Sequence, residues 1–141
     1  MEKIIYKGKL ANAFYGFNED AIFKMSNGTY WIQKRYKYWY HYAYRPEVEI
    51  LYNNGAYMLN VAGRSIEVSQ VHDVVESTID GDFNGWEGES SYKLINGQVW
   101  KQCQYKYEYH YAYRPDVLIY NANGSYVMAV EGTRAYVRRE R

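Results

Sequence analysis

An all-β fold, organised as two small barrels in tandem, is what this sequence predicts, and three observations predict it. The first is an internal duplication, the feature to seek before any other. Tyr36-Lys37-Tyr38-Trp39-Tyr40-His41-Tyr42-Ala43-Tyr44-Arg45-Pro46 recurs as Tyr105-Lys106-Tyr107-Glu108-Tyr109-His110-Tyr111-Ala112-Tyr113-Arg114-Pro115, and only Trp39 and Glu108 differ. The offset is 110 − 41 = 69; at that shift residues 11–68 align with 80–137 without a gap, and 25 of the 58 positions are identical. The second is a series of short alternating stretches separated by Asn-Gly and related turns, the mark of hairpins. The third is negative: no segment sustains a helical period.

In chain order, Ile4–Leu10 reads as an entry strand, and Phe14-Tyr15-Gly16-Phe17 as an aromatic turn. Ala21–Ser26 and Thr29–Arg35 flank Asn27-Gly28, a pair suited to a type I′ turn with φ > 0 at both residues. Tyr36–Tyr44 alternates strictly and stops at Arg45-Pro46. Glu47–Tyr52 and Ala56–Ala62 form a hairpin around Asn53-Asn54-Gly55, and Ser65–Val71 closes the half. The second half repeats the plan. Val74–Ile79 enters, Gly81, Gly85 and Gly88 shape a loop around Phe83 and Trp86, and Ser90–Ile95 and Gln98–Gln104 flank Asn96-Gly97. Tyr105–Tyr113 ends at Arg114-Pro115, Val117–Tyr120 and Ser125–Glu131 form the last hairpin, and Ala135–Arg139 closes. The repeat divides the chain into 1–71 and 72–141, each with the strand count of a small SH3-like or OB-like barrel. One pseudo-symmetric β-sandwich, its strands shared between the halves, is the alternative.

Composition narrows the function classes. The chain has 141 residues, 48% of them hydrophobic, which is enough to bury a core. Its net charge of +1 provides no global field towards nucleic acid or membrane. Cys103 is the single cysteine, so no internal disulfide forms. The start, Met1-Glu2-Lys3-Ile4-Ile5-Tyr6, lacks the apolar run of a signal peptide, and no stretch approaches the ~20 apolar residues of a membrane span. A soluble, cytoplasmic setting is the expectation. No P-loop, GxSxG, GxGxxG, CxxC or HExxH pattern occurs, so the expectation is a protein that is not an enzyme and holds neither cofactor nor metal.

Gly81-x-Phe83-x-Gly85-Trp86-x-Gly88 followed by Leu94-x-Asn96-Gly97-x-x-Trp100 resembles a repeat found in small uncharacterised bacterial proteins with SH3-like barrels. The first half departs from it, with Ala11, Ala13, Phe17 and Glu19 in place of Asp80, Asp82, Trp86 and Gly88. The resemblance implies the fold and no particular activity.

A two-residue Asn-Gly turn sets the register, and the register decides which side chains share a face. It would place Phe23, Met25, Tyr30 and Ile32 in the core, with Tyr92, Leu94 and Val99 in the second half. Trp31, Gln33, Trp100 and Gln102 would face away. Without a bulge, the same parity turns Tyr36, Tyr38, Tyr40, Tyr42 and Tyr44 inward and Lys37, Trp39 and His41 outward. One bulge reverses this.

The binding surface predicted from these faces exists in two copies: Trp31, Gln33, His41 and Arg45, and Trp100, Gln102, His110 and Arg114. The tryptophans would anchor a ligand, or else be covered by Lys24 and Lys93 through cation–π contact. The tyrosine rows serve either as core packing or as a stacking platform. His41 and His110 lack companions at ligand spacing. Asp80-Gly81-Asp82-Phe83-Asn84-Gly85 lacks the later Glu of a calcium loop, and Arg134, Arg138, Arg139 and Arg141 read as a solvated tail. The function expected is a non-catalytic binding or assembly module that takes a protein or peptide partner. Single-stranded nucleic acid or a glycan on the aromatic platforms is one alternative. An enzyme with a His/Tyr/Arg site between the repeats is the other. Self-association is compatible with the first, and no membrane role is expected.

Overall fold

The computed structural model describes residues 2–141. Among these residues every regular element is a β-strand. The chain forms two compact units, one running up to His72 and one from Asp73 to Arg141.

In unit 1 the strands are β1 (Lys3–Lys9), β2 (Ala13–Phe17), β3 (Ile22–Lys24), β4 (Tyr30–Gln33), β5 (Trp39–Tyr44), β6 (Glu47–Asn53), β7 (Ala56–Val61) and β8 (Arg64–Val71). Six of them form one antiparallel sheet in the order β1-β6-β7-β8-β4-β3. A bridge between Leu10 and Met25 brings the two edges together, so the sheet curls on itself. β2 and β5 form a separate two-stranded sheet. Phe14-Tyr15-Gly16-Phe17 is therefore strand rather than turn, with its register shifting between Phe14 and Gly16. Gly16 has φ 96°, and a Cβ there would run into the backbone carbonyl oxygen of Trp39, so only glycine lets the two strands approach so closely.

Unit 2 has β9 (Val75–Thr78), β10 (Asp82–Phe83), β11 (Trp86–Glu87), β12 (Ser91–Lys93), β13 (Val99–Gln102), β14 (Tyr107–Glu108), β15 (Ala112–Tyr113), β16 (Asp116–Ala122), β17 (Ser125–Val130) and β18 (Thr133–Arg139). Its six-stranded sheet follows the same order, β9-β16-β17-β18-β13-β12, and Ile79 bridges to Leu94. Where unit 1 has β2 with β5, unit 2 has two short pairs, β10 with β15 and β11 with β14. Between them lies Gly85, at φ 94°. Each six-stranded sheet draws all its strands from one half of the chain, so no sandwich with shared strands forms.

The hairpins hold the principal correction. Asn54-Gly55 and Asn123-Gly124 are two-residue loops with φ > 0 at both positions, as a type I′ turn requires. Asn27-Gly28 is not. Lys24 pairs with Tyr30 and the Met25 amide donates to Thr29 O, which leaves a three-residue loop, Ser26-Asn27-Gly28. Only Gly28 has φ > 0, and its amide closes a turn on Met25 O at 2.9 Å. The Asn27 side chain accepts from the Thr29 amide, which favours this geometry. Asn96-Gly97 repeats it, with Lys93 opposite Val99 and Gly97 N on Leu94 O.

One residue of slip exchanges the faces of the outgoing strand. Phe23, Met25, Tyr92 and Leu94 are buried as expected, but Tyr30, Ile32 and Val99 lie only part-way in. Trp31 and Trp100 occupy the interior instead, each 2% exposed. Around Trp31 the core of unit 1 gathers Phe14, Phe17, Phe23, Ile50, Leu59 and Val68. Around Trp100 that of unit 2 gathers Phe83, Trp86, Leu94, Ile119, Met128 and Val137.

Candidate functional site

Four of the eight residues expected to form the binding surface, Trp31, Gln33, Trp100 and Gln102, belong to the interior. Trp31 Nε1 donates to Thr29 Oγ1 and Trp100 Nε1 to Gln98 Oε1, so each indole is satisfied within its own hairpin. Gln33 and Gln102 are equally buried, and they shape the surface from below. Gln33 Nε2 donates to Arg35 O at 2.8 Å and Lys37 O at 3.1 Å, while its Oε1 accepts from Asn18 N at 2.9 Å. Gln102 does the same with Gln104 O at 2.8 Å, Lys106 O at 2.9 Å and Glu87 N at 3.2 Å. Each glutamine thereby folds the bend between the sheet strand and the tyrosine-rich segment after it. The duplicated Gln is a structural clamp, and its burial corrects the expectation of a ligand-facing amide.

Beyond that bend the parity of the strand carries through. Trp39, His41 and Ala43 turn part-way inward and the even-numbered tyrosines turn out. Tyr36, Tyr38, Tyr40, Tyr42 and Tyr44 are 53–72% exposed; Tyr105, Tyr107, Tyr109, Tyr111 and Tyr113 are 52–89% exposed. The inward placement expected for them fails for the same reason as the tryptophans: it inherits the hairpin register. His41, Arg45, His110 and Arg114 all lie at or near the surface, beside these rows.

The two ladders differ in what surrounds them. In unit 2 each basic group has a carboxylate of the same unit. Lys106 pairs with Glu108 at 3.6 Å, His110 Nε2 with Glu131 at 2.8 Å and Arg114 with Asp80 at 3.3 Å. The Tyr111 hydroxyl donates to Asp82 Oδ1 at 2.9 Å, and that hydrogen bond, with some burial, holds the phenol above its ordinary pKa. In unit 1 the matching acids are absent: Trp39, Ala62, Ala11 and Ala13 stand where Glu108, Glu131, Asp80 and Asp82 do. Lys37 donates to Ser65 O, and Arg45 to Leu10 O at 3.4 Å. His41 stacks on Trp39 at 4.8 Å, with the Arg64 guanidinium 4.6 Å from the same indole. Lys34 and Arg35, in the bend, both pair with Glu67, whose pKa the Arg35 hydrogen bond depresses.

Charge follows the same division. Residues 1–72 carry nine Lys+Arg against six Asp+Glu, and residues 73–141 carry 17 − 9 = 8 against 16 − 6 = 10, giving +3 and −2. An open groove lined by Lys7, Glu49, Asn60, Arg64 and Ser65 borders the unit 1 ladder at Arg64. Among the described residues, no group of three or more His, Cys, Asp or Glu could hold a metal ion, and no helix is long and apolar enough to cross a membrane. No family model, curated protein or solved structure matches this chain.

Proposed function

We propose that this chain is a non-catalytic binding or assembly module that recognises a protein or peptide through its two tyrosine ladders. The supporting observation is that ten tyrosines of the duplicated segment are exposed in ordered rows. Isolated exposed apolar residues are ordinary, but contiguous aromatic patches mark interaction surfaces. Tyrosine suits this task, because it offers large contact area and a hydroxyl at low cost in side-chain entropy. His41, Arg45, His110 and Arg114 remain in the proposed surface as its polar rim; Trp31, Gln33, Trp100 and Gln102 support it from the core.

The test is affinity capture with the wild-type chain and with Tyr38→Ser/Tyr40→Ser/Tyr42→Ser and Tyr107→Ser/Tyr109→Ser/Tyr111→Ser variants. Both variants should keep the wild-type circular dichroism and melting midpoint, because the replaced rings are exposed. Loss of a specific partner by a folded variant supports the reading. Retention of every partner by both would place the binding surface elsewhere.

A further inference from the structure

Resting on that reading, we infer that the unit 1 ladder takes an acidic, extended peptide segment whose carboxylates occupy the positions that unit 2 fills with its own. The two halves serve as each other's control. In unit 2 the groups along the ladder have acids of their own: Glu131 for His110, Asp82 for Tyr111, Asp80 for Arg114, and Glu108 for Lys106, which also donates to Arg134 O as Lys37 does to Ser65 O. The same groups recur in unit 1 as Lys37, His41, Tyr42 and Arg45, and none of these four has a carboxylate partner among the described residues. Four acids are replaced together, by Trp39, Ala62, Ala13 and Ala11, while the basic and phenolic partners are kept. The unit 2 contacts thus show which chemistry this arrangement accepts, and the +3 charge of residues 1–72 favours the same ligand.

The backbone fits an extended partner. β5 is a continuous strand of six residues that pairs with β2 along one edge only, and an extended peptide can add to such an edge. Its side chains would then alternate between the two faces of β5, reaching His41 on one and Tyr42 on the other. In unit 2 the corresponding segment is interrupted, as β14 and β15. A second copy of this chain is a poorer occupant, since the unit 2 carboxylates named above are already engaged.

The experiment uses the full chain and a fluorescein-labelled synthetic peptide of about twelve residues, alternating Glu and Thr, followed by fluorescence anisotropy. Controls are the Gln/Thr peptide and a thymidine oligonucleotide of equal length. The wild-type chain should bind the Glu peptide, more weakly as salt rises, and should not bind the Gln peptide. Ala11→Asp/Ala13→Asp/Ala62→Glu restores three of the four unit 2 acids in unit 1 and should weaken binding at least tenfold. Ala62 and Glu131 share the same left-handed turn geometry, so that position accepts Glu. Lys37→Gln/Arg45→Gln should weaken it comparably, and serves if the triple variant fails to fold. Asp80→Ala/Asp82→Ala/Glu131→Ala should tighten binding severalfold by opening the second ladder. Equal binding of the Glu and Gln peptides, wild-type affinity in the acid-restored variant, or binding of the oligonucleotide alone each overturns the inference. Should the tyrosine variants still lose a captured partner while no acidic peptide binds, the module reading survives and the acidic ligand class falls.

Discussion

The two tyrosine ladders share nearly all of their sequence, yet they present different chemistry, and most of the difference lies outside the repeated motif, Trp39 for Glu108 being the exception within it. Their tyrosines, histidines and arginines are the same. What changes is Glu108 for Trp39 within the ladder and a set of neighbours from other strands and turns, Asp80, Asp82 and Glu131 in unit 2 and Ala11, Ala13 and Ala62 in unit 1. In unit 2 the ladder is bounded by ion pairs and hydrogen bonds; in unit 1 the comparable space holds the Trp39–His41 stack and the Arg64 guanidinium. A duplicated motif thus keeps its tyrosines, histidines and arginines, while a few other residues, most of them far away in sequence, set what surrounds them.

What is common to both halves should break hardest. Gly16 and Gly85 each combine a positive φ with a carbonyl oxygen lying where a Cβ would go. Gly16→Ala or Gly85→Ala should cost about 3 kcal/mol, since strained backbone of this kind alone costs ~1–3 kcal/mol and the overlap adds to it. Urea titration of each variant measures this, and similar losses in the two would show that the crossing matters equally in both units.

Gln33→Leu and Gln102→Leu rank next. Each leaves two backbone carbonyls and one amide without the partner seen here, for a loss of about 2–3 kcal/mol, given ~1–3 kcal/mol per stranded buried group. The tyrosine-rich segment should also become more labile to proteolysis, because the bend that launches it is no longer fixed. A stable variant with unchanged protease sensitivity would show that the bend holds by other means.

Alkaline pH separates the halves more gently. Burial pushes the Tyr92 hydroxyl up to about 12, and its counterpart Phe23 has no hydroxyl to titrate. A phenol with a raised folded-state pKa stabilises the fold below its unfolded pKa near ~10 and loses that contribution as pH rises. Stability should therefore fall between pH 10 and about 12, by on the order of 2 kcal/mol for this group. Tyr92→Phe should flatten that slope in unfolding experiments at stepped pH; an equally steep slope would assign it to other groups.

Glu131→Ala should have the smallest effect. The His110–Glu131 pair is substantially exposed, and pairs of that kind contribute roughly 0–1 kcal/mol. A melting midpoint within a degree or two of wild type would fit a difference between the ladders that concerns recognition more than folding.

Much of this was legible in the sequence. The repeated segment, the all-β class and a hairpin around Asn53-Asn54-Gly55 follow from residue identity and turn chemistry. The face assignments failed at one place, Asn27-Gly28 and its copy Asn96-Gly97. A two-residue and a three-residue loop both present Asn-Gly there, and the choice depends on whether Asn27 adopts φ > 0 or lets its side chain accept from the Thr29 amide. That single residue of register moved Trp31 and Gln33 inward and carried the tyrosines out with it. The alanine-for-aspartate exchange at Ala11 and Ala13 was visible in the alignment. Its meaning was not, because the partners Tyr111 and Arg114 lie about 30 residues away from Asp82 and Asp80 along the chain.

The most direct test of this arrangement is residue-resolved chemical modification of the folded chain. Brief nitration with tetranitromethane, mapped by peptide mass spectrometry, should modify the tyrosines of both ladders and spare Tyr92 and Tyr120, which are buried. Under the same native conditions, an indole-oxidising reagent should leave Trp31 and Trp100 intact. Nitration of the ladders with protected tryptophans is the predicted result. Protected ladder tyrosines together with oxidised Trp31 and Trp100 would restore the opposite register and contradict the account.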